Sequence, residues 1–197
     1  MSMKKSANLL VALAAFSLLS LPLAALAATP TIRILPVGDS ITYGSSVAGG
    51  YRLPLYRMLT NAGFNVDFTG TQTGNGDPAL PDSDHEGHGG WTISQIDGIM
   101  LSVFTATVDP DVILLMIGTN DYGGGNGSGA TNRLEALIAK MALARPYAKI
   151  IVASLTQRGE PYETQIQTTF NPFVPDIVAR QVALGRQVYF TLAYPVA

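Results

Sequence analysis

Two continuous apolar segments constrain the fold of this 197-residue chain more than any other feature. Residues 112–117 and 150–154 are apolar at nearly every position. A strand of this kind is buried on both faces, which is typical of a parallel sheet with helices on each side. Three shorter segments also have strand character: residues 32–37, 65–69 and 187–191. The sequence therefore predicts a parallel sheet of about five strands.

Helical patterns lie between these strands. Apolar residues recur at helical spacing in four segments: residues 51–62, 92–104, 134–141 and 171–182. In the last segment, Asn171 and Pro172 predict the N-cap and first turn, and Val182 is expected to face the core. Strands that alternate with helices through short connections predict an α/β sandwich. No linker divides the sequence, so residues 28–197 are expected to form one domain.

Composition excludes several classes of protein. The chain contains no Cys, which excludes disulfides, thiolate metal sites and a cysteine nucleophile. Its net charge of -2 gives no electrostatic signature for nucleic-acid binding. Hydrophobic residues make up 47% of the chain and charged residues 13%, which excludes intrinsic disorder. A folded enzyme or binding domain remains.

The N-terminal residues resemble a targeting segment. Lys4 and Lys5 precede an apolar run over residues 9–19, and small residues follow at 25–27. This order predicts a secretory signal peptide over residues 1–27, and a membrane anchor is the alternative. We expect a secreted or periplasmic protein that does not remain in the membrane after cleavage.

Three loops follow predicted strands and meet at one edge of the predicted sheet: residues 38–50, 70–91 and 118–130. Ligands of an open parallel sheet bind beyond the carboxyl ends of its strands. Ser40 lies where the first strand turns into a helix, so its amide could donate to a developing oxyanion. Asn120 follows the third strand and could offer its side-chain amide there. Ser40 could equally be an ordinary helix cap, and Asn120 an ordinary turn residue.

Several short sequence blocks occur in order between about residues 31 and 190. They are ILPVGDSITYG at 34–44, GGYR at 49–52, DFTGTQ at 67–72, DHEGHGGW at 84–91 and GTND at 118–121. These blocks resemble those of the SGNH, or GDSL-type, hydrolases. The similarity is closest to carbohydrate esterase family 3, the secreted acetyl xylan esterases.

The resemblance implies a fold and a reaction. It implies a flavodoxin-like three-layer α/β/α sandwich in which Ser40 is the nucleophile. The amides of Ser40 and Gly70 and the side chain of Asn120 would form the oxyanion hole, with Asp39 as an anchoring neighbour. An acetyl group of a polysaccharide, or of another acyl ester, would pass to Ser40 and then to water. Neither a metal nor an organic cofactor is required for that chemistry.

The last block of the family is absent from the sequence. The resemblance implies an Asp and a His three residues apart after the fifth strand, followed by a final helix. This chain has no His beyond His88. We therefore expect a domain that lacks its final loop and helix, with part of the sheet uncovered. Activity would be low, because a serine hydroxyl is a poor nucleophile without a base.

Other readings remain open. The chain could be an inactive fragment or a carbohydrate-binding module, or an esterase or lipase that acts on small acyl esters. His85 or His88 could replace the missing base, or both could shape the substrate cleft together with Glu86 and Trp91. The acidic residues of 82–88 could instead bind a hard cation or zinc.

Overall fold

The computed structural model describes residues 29–124, 127–157, 159 and 162–193. The predicted signal peptide lies outside these residues and remains a prediction. Within the described part of the chain, no helix is both long enough and apolar enough to cross a bilayer.

Six strands and seven α-helices follow one another in the described residues. The strands are β1 (Thr31–Gly38), β2 (Asn65–Phe68), β3 (Glu86–Gly87), β4 (Val112–Met116), β5 (Lys149–Ala153) and β6 (Val188–Thr191). The helices are α1 (Ser40–Tyr43), α2 (Arg52–Asn61), α3 (Ile93–Ala106), α4 (Thr119–Gly123), α5 (Ala130–Ala144), α6 (Tyr162–Thr169) and α7 (Val174–Ala183). A short 3₁₀ helix, Asn171–Phe173, precedes α7.

The five longer strands form one parallel sheet in the order β2-β1-β4-β5-β6. This arrangement is the flavodoxin-like order, and it confirms the predicted fold class. The prediction missed β3, which pairs with the end of β1. A strand of two residues inside a glycine-rich loop is too short to show a periodic pattern in the sequence. Only its pairing with β1 defines it as a strand.

One face of the sheet is fully covered. Alternate strand residues point to this face, and those of β4 and β5 are completely buried, for example Ile113 and Ile150. They pack into the main core with the apolar sides of α3, α5 and α7. On the other face, α2 packs over β1 and β2 in a smaller cluster around Ile34 and Phe68. These layers produce the predicted α/β/α sandwich.

The described helices leave part of the second face open. Its apolar side chains, together with residues from the region of α1, surround an open cavity of about 280 Å³. We call this surface the open face, and its lining includes Ile41, Tyr51, Leu114, Ile151 and Ala153. The expected uncovered part of the sheet corresponds to this surface. The open face lowers the stability of the domain relative to a covered sheet, because burial of apolar area contributes roughly 25 cal/mol per Å².

The start of α7 differs from the sequence prediction. Asn171 does not cap this helix, since it lies in the preceding 3₁₀ turn. Its side chain instead accepts a hydrogen bond from the Leu155 amide (2.8 Å) and donates one to the Leu155 carbonyl (3.0 Å). Val182, expected in the core, is 51% exposed. The Asn-Pro pair thus anchors the segment after β5, a contact across 16 residues that local patterns cannot reveal.

Candidate active site

Ser40 begins α1 immediately beyond β1. The side chain of the buried Asp39 caps this short helix by accepting a hydrogen bond from the Ile41 amide (2.9 Å). Gly38 is required at the turn, because a Cβ there would lie 2.3 Å from the Met116 carbonyl oxygen. Ser40 is half-buried and borders an open pocket of about 310 Å³. The helix start therefore presents a serine at the carboxyl edge of the sheet.

The backbone beside this turn belongs to β3 and the residues that follow it. Val37 pairs with Glu86 and Gly38 with Gly87, and the His88 amide donates to the Gly38 carbonyl (2.9 Å). We call the segment from His88 to Trp91 the glycine turn, since residues 89 and 90 are glycines. Its two glycines are exposed, and a Cβ at either would meet nothing within 4 Å.

Asn120 lies next to the glycine turn. It belongs to α4, which follows β4, and its side-chain amide donates to the Trp91 carbonyl (2.9 Å). The neighbouring Asp121 is completely buried and accepts hydrogen bonds from the Ile93 amide (2.9 Å) and from Arg133 (2.8 Å). These contacts fix α4 against α3 and α5. The second hydrogen of the Asn120 amide is left for another acceptor, because an amide nitrogen carries two donors.

Gly70 packs against the residues that lead into β3. Gln72 and His85 exchange two backbone hydrogen bonds of 2.9 Å, and a Cβ at Gly70 would lie 2.2 Å from the backbone of His85. This close approach explains the glycine at this position. That the Gly70 amide belongs to the oxyanion hole with Ser40 stays a prediction. The glycine turn is the backbone that is hydrogen-bonded to Gly38, and its two adjacent glycines at 89–90 are the feature of the sequence that could have indicated it.

His85 has no free ring nitrogen. It is completely buried, with Nε2 2.9 Å from the Gly74 carbonyl oxygen and Nδ1 accepting from the Gly87 amide (2.9 Å). Burial lowers the pKa of His85 to about 4. The hydrogen bond to Gly74 favours a higher pKa, and the nearby charge of Arg52 favours a lower one. His85 therefore shapes the loop, and it is not placed to take a proton from Ser40.

The buried neutral state of His85 predicts acid sensitivity. Its native pKa is about 4, below the ordinary 6.5, so the unfolded chain binds more protons between these values. The free energy of unfolding should fall by up to about 3 kcal/mol as the pH drops from 6.5 to 4. Urea denaturation at several pH values measures this slope.

A His85→Gln variant should have a flatter pH dependence between pH 6.5 and 5 than the parent chain. If the free energy of unfolding of His85→Gln depended on pH as steeply as that of the parent chain, the pH dependence would not come from the buried neutral state of His85. Between pH 6.5 and 5, most carboxylates remain ionised in both states, so their contribution to the slope is small.

His88 and Glu86 form a close pair. The Nε2 atom of His88 lies 2.5 Å from Oε1 of the buried Glu86, which also accepts hydrogen bonds from the amide and hydroxyl of Thr71. Burial raises the pKa of Glu86, but the hydrogen bonds from His88 and Thr71 outweigh it and hold the pKa below its ordinary value. The His88 ring also stacks on Trp91 at 4.0 Å. This pair supports the glycine turn and leaves only Nδ1 of His88 for other partners.

The carboxylates of Asp82 and Glu86 are engaged by the protein itself. Asp82 accepts hydrogen bonds from the amides of Phe68 (2.5 Å) and Asp84 (3.2 Å), and Glu86 is bound as described above. The hypothesis of a cation site in this loop therefore gains no support from the geometry.

Arg52 is a structural residue that the sequence interpretation did not assign a role. It is completely buried in α2, and its guanidinium donates to the carbonyls of Ser83 (2.5 Å) and Tyr43 (3.3 Å). It thereby ties the end of α1 to the loop before β3. Its position in the GGYR block at 49–52 is the feature of the sequence that could have indicated a structural role for Arg52.

Residues 37–192 match the GDSL-like Lipase/Acylhydrolase family. The chain belongs to this family. The match spans most of the described residues and includes Ser40, the glycine turn and Asn120. It confirms the SGNH resemblance that the sequence blocks carried.

Individual relatives of this GDSL-like chain are esterases by name. A family 3 carbohydrate esterase of Clostridium thermocellum is 39% identical with a TM-score of 0.74, over 83% of this chain and 78% of that chain. A carbohydrate esterase family 3 structure from Talaromyces cellulolyticus is 25% identical with a TM-score of 0.68, over 82% and 79% of the two chains. A multidomain esterase of Ruminococcus flavefaciens is 37% identical over 56% of this chain. The match spans only 17% of the length of that multidomain protein.

Proposed function

We propose that this GDSL-family chain is an exported serine esterase that removes acetyl groups from a polysaccharide through an acyl-enzyme on Ser40. One observation carries the proposal. The glycine turn is hydrogen-bonded both to Gly38, two residues before Ser40, and to the side chain of Asn120. These two contacts support a serine at a helix start with hydrogen-bond donors nearby, which is the arrangement that acyl transfer requires. The carbohydrate esterases among its relatives support the choice of substrate.

The reaction follows from this arrangement. The Ser40 oxygen forms a bond to the acyl carbon, and the carbonyl oxygen gains negative charge. Donors to that oxyanion are the Ser40 amide, the Gly70 amide and the free hydrogen of the Asn120 amide. The bond to the sugar oxygen then breaks, and that oxygen leaves as a hydroxyl with a proton from solvent, to which Ser40 has lost its own. Water then attacks the acyl-enzyme, which releases acetate and restores the Ser40 hydroxyl. Asp39 anchors the turn and takes no proton.

Proton removal from Ser40 is the slow part of this proposal. Among the described residues, no hydrogen bond joins Ser40 Oγ to a base, and His85 is fully engaged. Oxyanion stabilisation and binding alone still leave about 10³–10⁴-fold acceleration over water in a serine hydrolase without its base. We expect the parent chain to accelerate acetate release over the uncatalysed reaction by at least that factor. An inactive carbohydrate-binding chain is the alternative.

Acetate release from acetylated xylan and from an aryl acetate tests the proposal. Release from both substrates, dependent on Ser40, is the expected result. Hydrolysis of long-chain esters without acetate release would favour a lipase that acts on other acyl groups. Binding to xylan without labelling of Ser40 by a fluorophosphonate would favour the inactive binding chain.

An Asn120→Ala substitution should slow acetate release by about 10²-fold, because it removes one donor to the oxyanion. The loss should appear in kcat with little change in KM, since the interaction strengthens only as charge develops in the transition state. Asn132→Ala, an exposed position on α5, is the matched control and should leave both constants unchanged. A rise in KM with an unchanged kcat would contradict the role proposed for Asn120.

A further inference from the structure

A second cleft opens beside Asn120, between α4, the start of α5 and α6. Its volume is about 630 Å³, within the range of ligand sites. We call it the tyrosine cleft, and its lining includes Tyr122, Ser128, Thr131, Tyr162, Gln165 and Thr169. We propose that it is a subsite for a neutral polysaccharide and holds sugar units that flank the acylated one. This inference rests on the proposed function, because Ser40 would act on the same polymer.

The chemistry of the lining favours a neutral sugar. Tyr162 supplies a partly exposed apolar ring, and Tyr122 is largely buried in the wall. Four further side chains supply hydroxyl or amide groups that can both donate and accept hydrogen bonds. No charged side chain is among the described residues that line it. Apolar surface with a few polar groups suits a ligand that has apolar ring faces and many hydroxyls. An acidic polymer would find no cation in this lining.

The position of the tyrosine cleft suits a polymer that also reaches Ser40. Helix α4 follows β4 and carries both Asn120 and Tyr122, and α6 follows β5. Because β1, β4 and β5 are neighbours in the sheet, the cleft lies roughly 5–10 Å along the carboxyl edge from the end of β1. A polysaccharide can span that separation, whereas a small aryl ester bound at Ser40 cannot.

The walls of the cleft are fixed by contacts within the protein. The Tyr122 ring packs edge-on against Phe170 at 5.9 Å, and its hydroxyl lies 3.1 Å from that of Thr169. Gly127 lies against the same ring, where a Cβ would come within 2.7 Å. Arg133 joins this wall to the catalytic edge, because it binds the Ser128 carbonyl (2.9 Å) and the carboxylate of Asp121. A preformed cleft limits the ordering cost of binding.

Retention of the full chain on acetylated xylan in affinity electrophoresis tests the proposal without requiring turnover. Tyr162→Ala should weaken retention about tenfold, which corresponds to about 1.4 kcal/mol. Tyr147→Ala is the matched control, since Tyr147 is 90% exposed and lies before β5 at the opposite edge of the sheet. Retention on acidic polygalacturonate should be weaker than on xylan. Gln165→Ala, at an exposed position, should also weaken retention on xylan and decides the case if Tyr162→Ala does not fold.

Kinetics separate the cleft from the Ser40 site. In Tyr162→Ala, we expect KM for acetylated xylan to rise while aryl acetate hydrolysis stays within about twofold of the parent rate. Equal retention of the Tyr162 and Tyr147 variants, or equal losses on polymer and aryl acetate, would overturn the proposal. Retention on polygalacturonate as strong as on xylan would overturn the neutral specificity. If Ser40→Ala leaves acetate release unchanged, the esterase proposal fails, and the retention assay still decides whether the cleft binds xylan.

Discussion

Ser40→Ala should lower acetate release from an aryl acetate to the residual rate that the oxyanion donors and binding sustain without an acyl-enzyme. The substitution removes the oxygen that would form the acyl-enzyme, while the remaining donors can still assist direct attack by water on the bound ester. Ser102→Ala is the matched control, because Ser102 is exposed on α3 and does not line the pocket that Ser40 borders. Mass spectrometry after fluorophosphonate treatment should find the label on Ser40 and none in the Ala variant. Equal rates for the parent chain and Ser40→Ala would end the esterase proposal.

The source of the base can be tested with the same pair of proteins. Added imidazole should raise the rate of the parent chain more than that of Ser40→Ala, because an external base can take the proton of Ser40, whereas the direct reaction of imidazole with the ester is the same in both samples. His88→Gln should lower the rate only to the extent that it disturbs the glycine turn. A rate that imidazole does not alter and that His88→Gln abolishes would instead identify His88, through Nδ1, as the base.

Ile150→Ala should lower the free energy of unfolding by about 2–5 kcal/mol, whereas Ile151→Ala should cost less than half as much. The two residues are neighbours on β5 but point to opposite faces of the sheet. Ile150 is completely buried under the helices, so its removal leaves a cavity that packed neighbours cannot fill. Ile151 lines the open face and is already partly exposed, so its removal loses less buried surface and creates no closed cavity.

Urea denaturation of the two variants at neutral pH measures this difference. A dye that binds exposed apolar surface should report less binding for Ile151→Ser than for the parent chain, because that substitution makes the open face more polar. Equal destabilisation by Ile150→Ala and Ile151→Ala would mean that the open face is covered in solution. The comparison therefore also tests the expectation that this domain has an uncovered part of the sheet.

The sequence determined the fold class and the family. Buried strands such as β4 and β5 have a strong local signature, since a strand covered on both faces must be apolar throughout. The family blocks likewise lie in continuous segments, so Ser40 and Asn120 could be nominated from the printed residues alone. Whether Ser40 acts as the nucleophile remains a prediction.

The tertiary structure decided which of these residues meet. Strand β3 is two residues long, and its pairing with β1 puts the glycine turn next to Gly38, two residues before Ser40. The two histidines are three residues apart in sequence, yet burial engages both ring nitrogens of His85, while His88 pairs with Glu86 and stacks on Trp91. Local patterns record the preferences of single segments, whereas strand pairing, burial and hydrogen-bond partners depend on residues far apart in the chain. The sequence alone therefore gave the candidates, and only the packed fold decided which of them share one edge of the sheet.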